Sequence, residues 1–227
     1  MRSVPLLFVI IFYTNIAVEA ATLTVSIYYE SLCPDSVRFF KDQFYPAYST
    51  VLKGKIIVDL VPFGKATAKN ETGKWVFDCQ HGKSECYGNK IHGCAIDVAT
   101  KDTSTEFIVC AMKSGDASDN NNLKQCAADN NITWSNIEQC MGSNRGDEIL
   151  ASNGERTRSV QPKITFIPTI IFNYQMREQL QKLALKDFHG TVEFLLEDED
   201  CSKCQNGGRI IGLSWCLIAF CVISIFT

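Results

Sequence analysis

The stretch that most constrains this chain is Tyr28-Tyr29-Glu30-Ser31-Leu32-Cys33-Pro34-Asp35-Ser36, which joins a strand-like run to a helix-like one. Thr22 to Tyr29 is rich in β-branched and aromatic residues and predicts a strand. Beyond Pro34, the residues Val37, Phe40, Phe44, Ala47 and Val51 recur at helical spacing up to a Lys53-Gly54 stop. Pro46 falls inside that run and is expected to kink or break it. Ile56 to Val61 is a nearly continuous apolar run, the pattern of a strand buried on both faces. Strand, helix and strand in about 40 residues make a βαβ-sized unit. Cys33 stands at its first turn, where backbone N–H groups and the helix dipole favour a thiolate.

The compartment follows from the ends of the chain and its cysteines. Arg2, the apolar run Val4 to Val18 and the small residues around Val18-Glu19-Ala20 read as a secretory signal over residues 1–20. Eleven cysteines then meet an oxidising environment. Cys216 and Cys221 lie in the apolar tail. Of the other nine, Cys79, Cys86, Cys94, Cys110, Cys126, Cys140, Cys201 and Cys204 suffice for four bridges, which leaves Cys33 over. Spacing leaves their pairing open among about 105 connectivities. A net charge of -3 argues against nucleic acid as a partner.

Residues 64–94 are glycine-rich, polar and cysteine-dense, and predict a long loop pinned by bridges. Helix-like patches at Cys94 to Met112, Trp134 to Cys140 and Asp147 to Ala151, parted by the polar run Ser114 to Asn122, predict a helical insertion extending to residue 159. Alternation returns at Ile164 to Phe172, with Pro168 at the mouth of a strand. A hairpin through Asn173-Tyr174 and a last helix ending in the solvated acidic run Glu197 to Asp200 are expected to follow. Residues 201–209 read as a short linker. Asn70-Glu71-Thr72 and Asn131-Ile132-Thr133 are glycosylation sequons at Asn70 and Asn131. The uncharged tail, Ile210 to Thr227, is long enough for a lipid-anchor signal or a membrane-spanning helix, and a cleaved or merely sticky tail is the third reading.

Cys79-Gln80-His81-Gly82-Lys83-Ser84-Glu85-Cys86-Tyr87-Gly88-Asn89-Lys90-Ile91-His92-Gly93-Cys94 is the most specific stretch. Zinc would call for paired C-x2-C spacings; six and seven intervening residues in a secreted chain favour bridging, so no metal is expected. The stretch resembles the signature of the gamma-interferon-inducible lysosomal thiol reductase family, Cys-Gln-His-Gly-x2-Glu-Cys-x2-Asn-x4-Cys. Cys79, Gln80, His81, Gly82, Glu85, Cys86, Asn89 and Cys94 all match it. The likeness extends through Leu60-Val61-Pro62-Phe63-Gly64 to Cys140-Met141-Gly142 and Pro168.

The resemblance implies an α/β, thioredoxin-like fold with a disulfide-rich helical insertion, and a thiol–disulfide oxidoreductase acting on disulfide-containing proteins. By analogy Cys33 is the nucleophile, and Pro168, after a cis peptide, faces it. It also implies the secretory pathway, with a lysosomal, extracellular or cell-surface destination; the tail adds attachment to a membrane. The family's second cysteine is replaced by Ser36, whose hydroxyl is expected to bond the Cys33 sulfur. Turnover would then use an external small thiol, with no bound cofactor, or the C-x-x-C pair Cys201 and Cys204. A disulfide isomerase and a non-enzymatic binding protein on the same fold are the alternatives. His81, His92, Trp75 and Trp134 read as structural residues before functional ones.

Overall fold

The structure is a computed structural model that describes residues 23–206, with side chains to residue 197; the stretch read as a secretory signal and the apolar tail lie outside them. Its organising element is β1 (Leu23–Tyr29), buried at every residue. β1 runs parallel to β2 (Ile56–Pro62), from the pair Leu23–Ile56 to Tyr29–Pro62. On its other side it runs antiparallel to β5 (Thr169–Phe172), giving the order β2-β1-β5. A central strand paired on both edges and packed on both faces accommodates the apolar and β-branched run Leu-Thr-Val-Ser-Ile without a polar face. β2 departs from the expected fully buried strand: as a sheet edge it leaves Ile57 and Asp59 half-buried. Asp59 there accepts from Ser26 Oγ at 2.9 Å and pairs with Arg156 at 2.5 Å.

The connection between β1 and β2 is helical from residue 34 to 52. It comprises α1 (Pro34–Phe39), a π turn (Phe40–Phe44), α2 (Tyr45–Ala47) and a second π turn (Tyr48–Leu52). Pro46, expected to kink or break the helix, does not break it: it sits in α2 between the two π turns. The wide turns on either side close Tyr45 N–H on the Phe40 carbonyl and Lys53 N–H on the Tyr48 carbonyl. They carry the chain past a residue that has no N–H to give. The inner face stacks aromatic rings. Phe40 meets Tyr29 edge-on at 4.9 Å, Phe44 stacks on Tyr48 at 5.2 Å, and Phe39 meets Phe188 at 5.6 Å. Such pairs add about 0.5–1.5 kcal/mol each beyond area burial.

The stretch after β2 is more regular than a pinned loop. A hairpin, β3 (Thr67–Glu71) and β4 (Lys74–Asp78), turns at Thr72 and Gly73, both in the left-handed region. Gly82, with φ +82°, then opens α3 (Lys83–Val98). Two glycines inside α3 hide it from helical patterning, and both are packing positions. A Cβ on Gly88 would stand 2.5 Å from Ser31 Oγ, and one on Gly93 would stand 2.8 Å from Ile149 Cγ2. α4 (Lys101–Lys113), α5 (Asn120–Asp129), α6 (Trp134–Gly142) and α7 (Asn144–Ser159) complete the helical insertion. α5 starts inside the polar run because Asp119 caps it, accepting from the N–H groups of Asn121 and Asn122. Bridges Cys79–Cys86, Cys94–Cys140 and Cys110–Cys126 join the turn after β4 to α3, α3 to α6 and α4 to α5.

Only Thr169–Phe172 of the predicted 164–172 alternation forms a strand. Pro162 and Pro168 each lack a ladder donor, and residues 160–168 run irregularly into β5. Asn173 and Tyr174 make a tight turn in the left-handed region, closed by Gln175 N–H to the Phe172 carbonyl at 3.0 Å. The expected hairpin is reduced to a single antiparallel bridge, Phe172 with Gln175, before α8 (Glu178–Lys186) and α9 (Phe188–Asn206), which runs past the expected acidic end and into the stretch read as a linker. The side chains of Cys201 and Cys204, on its last turns, lie outside the described residues, as does the tail. Among the described residues, no helix is long and apolar enough to cross a membrane.

Candidate functional site

Cys33 is the residue that caps α1, with φ -64° and ψ 121°; its carbonyl takes the Val37 N–H at 2.9 Å. Pro34 fills the first helical position, where an N–H would go unused. Cys33 is the free cysteine among the described residues and is 8% exposed. It packs with Tyr28, Val61, Ile167 and Ile171, and its Sγ lies 3.8 Å from the Ile167 carbonyl. The Ile167–Pro168 peptide is cis, as the resemblance implies, and this contact places it against Cys33.

Ser36 is fully buried, but its hydroxyl does not reach the sulfur as expected. It accepts the Glu30 N–H at 3.4 Å. The cause lies in the sheet: β1 ends at Tyr29, so the next N–H needs a partner, and a hydroxyl one turn into α1 supplies it. The position that holds the second thiol in a dithiol enzyme therefore fixes the loop from β1 to Cys33.

The signature residues reach that same loop from some 50 positions away. Asn89 Oδ1 accepts the Ser31 N–H at 2.8 Å, and Ser31 Oγ donates to the Glu85 carbonyl at 3.2 Å. Gly88 lets α3 close on Ser31. Glu85, fully buried, accepts the His81 N–H on Oε1 at 3.1 Å and meets His81 Nδ1 through Oε2 at 2.5 Å. Glu30, also fully buried, accepts the Lys65 N–H on Oε1 at 2.7 Å and brings Oε2 to 3.5 Å from His81 Nδ1. Burial pushes the Glu30 carboxyl up from its ordinary value; the Lys65 N–H bond opposes that, Glu85 adds to it, and His81 opposes it. Gly64 makes room, since a Cβ there would stand 2.2 Å from Glu30 Cγ. Gln80 is exposed. His92 is fully buried, with its pKa lowered to about 4 by burial and its Nδ1 3.1 Å from Tyr29 Oη. Trp75 stacks on Phe77 at the hairpin, and Trp134 bonds Glu138. Asn70 and Asn131 are exposed.

Two features carry no sequence signal. Gln181 of α8 is buried, and its side-chain amide acts as a substitute strand for β5. Oε1 takes the Ile170 N–H at 2.5 Å, and Nε2 gives to the Pro168 carbonyl at 2.8 Å. It ties the cis-proline to the second residue of β5. Next to Pro168 lies a groove of about 160 Å³, lined by Asp35, Arg38, Phe39, Phe166 and Leu185 among others, with Phe166 43% exposed. The groove thus sets an exposed aromatic ring and several charged side chains beside the cis-proline.

A family model described as gamma interferon inducible lysosomal thiol reductase matches residues 24–130. GILT-like protein 1 of Drosophila melanogaster is 38% identical over 189 residues, covering 78% of this chain and 76% of that protein. A gamma-interferon-inducible lysosomal thiol reductase-like protein of Anopheles gambiae is 35% identical over 176 residues, covering 72% and 73%. Among solved structures, Chlamydia trachomatis DsbA superposes with a TM-score of 0.53 at 14% identity, over 78% of this chain and 89% of that one. At that identity the likeness concerns the thioredoxin-like fold.

Proposed function

This chain belongs to the gamma-interferon-inducible lysosomal thiol reductase family of thiol–disulfide oxidoreductases, and from that premise we propose that it works on protein disulfides through Cys33 alone. The carrying observation is Cys33 unbridged at the start of α1 against cis-Pro168, with a buried serine three residues on. The Cys33 thiolate attacks one sulfur of a substrate disulfide, forming an enzyme–substrate mixed disulfide and expelling the other sulfur as a thiolate. Ser36 cannot complete the cycle, because a hydroxyl forms no disulfide. An external small thiol, as its thiolate, attacks Cys33 Sγ in the mixed disulfide, releases the substrate's second thiolate and leaves Cys33 capped. A second small thiol uncaps Cys33 and departs as the oxidised dimer. The balance is one protein disulfide and two small thiols in, one protein dithiol and one small disulfide out.

The partners are thus disulfide-containing proteins presented in extended form along the Phe166 groove. The secretory pathway, ending in the lysosome or outside the cell, is the compartment that fits the bridges and the family. The exposed sequons Asn70 and Asn131 would carry glycans there.

Ser36→Cys tests the reading. With reduced enzyme and no small thiol, the wild type stops at the mixed disulfide. The variant is expected to release about one equivalent of fully reduced substrate per chain while Cys33 becomes bridged to the thiol introduced at position 36. Stopped turnover with gel and mass analysis reads both products. Equal release from the two proteins would remove Cys33 from the chemistry. The 8% exposure of Cys33 favours a second reading, a binding protein that keeps the fold without the reaction; for that reading Cys33→Ala leaves partner binding unchanged.

A further inference from the structure

We infer that Glu30, His81 and Glu85 form a binding site for one divalent transition-metal cation, zinc foremost. The three side chains come from two distant parts of the chain, the loop before Cys33 and the turn that opens α3, yet their ligating atoms lie within 4.8 Å of one another. Each carboxylate uses one oxygen on a main-chain donor and keeps the other for the cluster. Glu30 Oε1 is held by the Lys65 N–H at 2.7 Å, and Glu85 Oε1 by the His81 N–H at 3.1 Å. Both Oε2 atoms then converge on His81 Nδ1. Outer bonds of this kind orient metal ligands before the ion arrives.

Glu30 supplies the independent observation. The residue is 0% exposed, and its Oε2 points into the cluster without a hydrogen-bond partner, 3.5 Å from the imidazole. A buried carboxylate oxygen left in that state is unfavourable unless something positive meets it. One imidazole cannot neutralise two carboxylates, whereas a dication beside a neutral imidazole can. Tetrahedral zinc with bonds of about 2.0–2.2 Å sets its ligand atoms roughly 3.3 Å apart. The His81–Glu30 separation already matches this. The contact between His81 Nδ1 and Glu85 Oε2, at 2.5 Å, would have to open by about 0.8 Å to seat a cation between them. His81 has 36% of its side chain exposed, so it can make that move and leave a fourth position to water.

The fold keeps the set in place. Gly64 admits the Glu30 side chain where a Cβ would collide, and the Cys79–Cys86 bridge clamps the ends of the segment that carries His81 and Glu85. No metal pattern is visible in the sequence here because its cysteines, bonded to each other, are the wrong ligands to count. The donors are oxygen and imidazole.

Titration of the metal-stripped, disulfide-intact full chain with zinc chloride by calorimetry at pH 7.5 tests the site, with cobalt(II) chloride as the spectroscopic probe. One zinc per chain is expected, with cobalt bands from oxygen and nitrogen ligands and no thiolate charge-transfer absorption. His81→Ala, at a partly exposed position, should weaken zinc by at least about 10-fold. Glu30→Gln should do the same, and Cys33→Ser should leave the affinity unchanged. Failure of the wild type to bind zinc, equal binding by His81→Ala, or a thiolate band lost in Cys33→Ser would each overturn the assignment.

Discussion

Cys33→Ser is expected to lower the rate of protein-disulfide reduction by on the order of 10³-fold or more, to the level of the small thiol acting alone. The proposed reaction passes through a bond to Cys33 Sγ, and the other cysteines up to residue 197 are bridged. The fold should survive. The exchange replaces sulfur by oxygen in a small apolar cluster, and the new hydroxyl faces the Ile167 carbonyl that the thiol already met at 3.8 Å. A stability change within about 2 kcal/mol is expected, because that carbonyl offsets the burial of a hydroxyl. Turnover with a denatured, disulfide-bonded protein and cysteine as reductant gives the first quantity, and urea unfolding gives the second. Residual activity within tenfold of wild type would place the nucleophile elsewhere.

The second large effect concerns stability. Replacing Cys94 and Cys140 together by alanine is expected to cost about 4 kcal/mol, since the bridge closes 46 residues of chain and chain entropy scales with the logarithm of that number. Opening Cys110–Cys126, with a separation of 16, should cost about 3 kcal/mol. Opening Cys79–Cys86, with a separation of 7, should cost about 2.4 kcal/mol. The urea midpoints of the three double variants should fall in that order. The first should also lose activity before it unfolds, because the bridge secures α3, whose Asn89 and Glu85 hold Ser31 beside Cys33. A Cys94/Cys140 variant as stable as wild type would show that packing, not the covalent tie, fixes α3.

Physical signals in the sequence reach the frame of the site and miss its attachments. β1, β2 and the cysteine between them are readable because a buried strand leaves an unbroken run of β-branched residues. The cis-proline comes from family likeness, and its place at the mouth of β5 from the rule that proline opens strands. α3 is hidden, because Gly88 and Gly93 serve its packing against Ser31 and Ile149 and erase the helical pattern. The role of Ser36 escapes for a different reason: spacing to Cys33 suggests a contact between the two side chains, whereas the unpaired N–H at the end of β1 takes the hydroxyl first. Gln181 leaves no trace, since a side-chain amide that stands in for a strand looks like any other glutamine in α8. The convergence of Glu30 on His81 and Glu85 likewise exists only once α3 docks on the loop.

The most direct test of the account is to trap the intermediate. The reduced active-site form of the full chain, with its three bridges intact, is mixed with a disulfide-bonded protein in the absence of small thiol. It is then quenched with acid and digested for mass spectrometry. A covalent one-to-one adduct on Cys33 is expected to accumulate, because Ser36 cannot resolve it, and to disappear within seconds to minutes of adding cysteine. Reduced substrate released without an adduct, or an adduct on Cys201 or Cys204, would contradict the single-nucleophile mechanism. A Cys33 that stays unmodified throughout would contradict the assignment of the site itself.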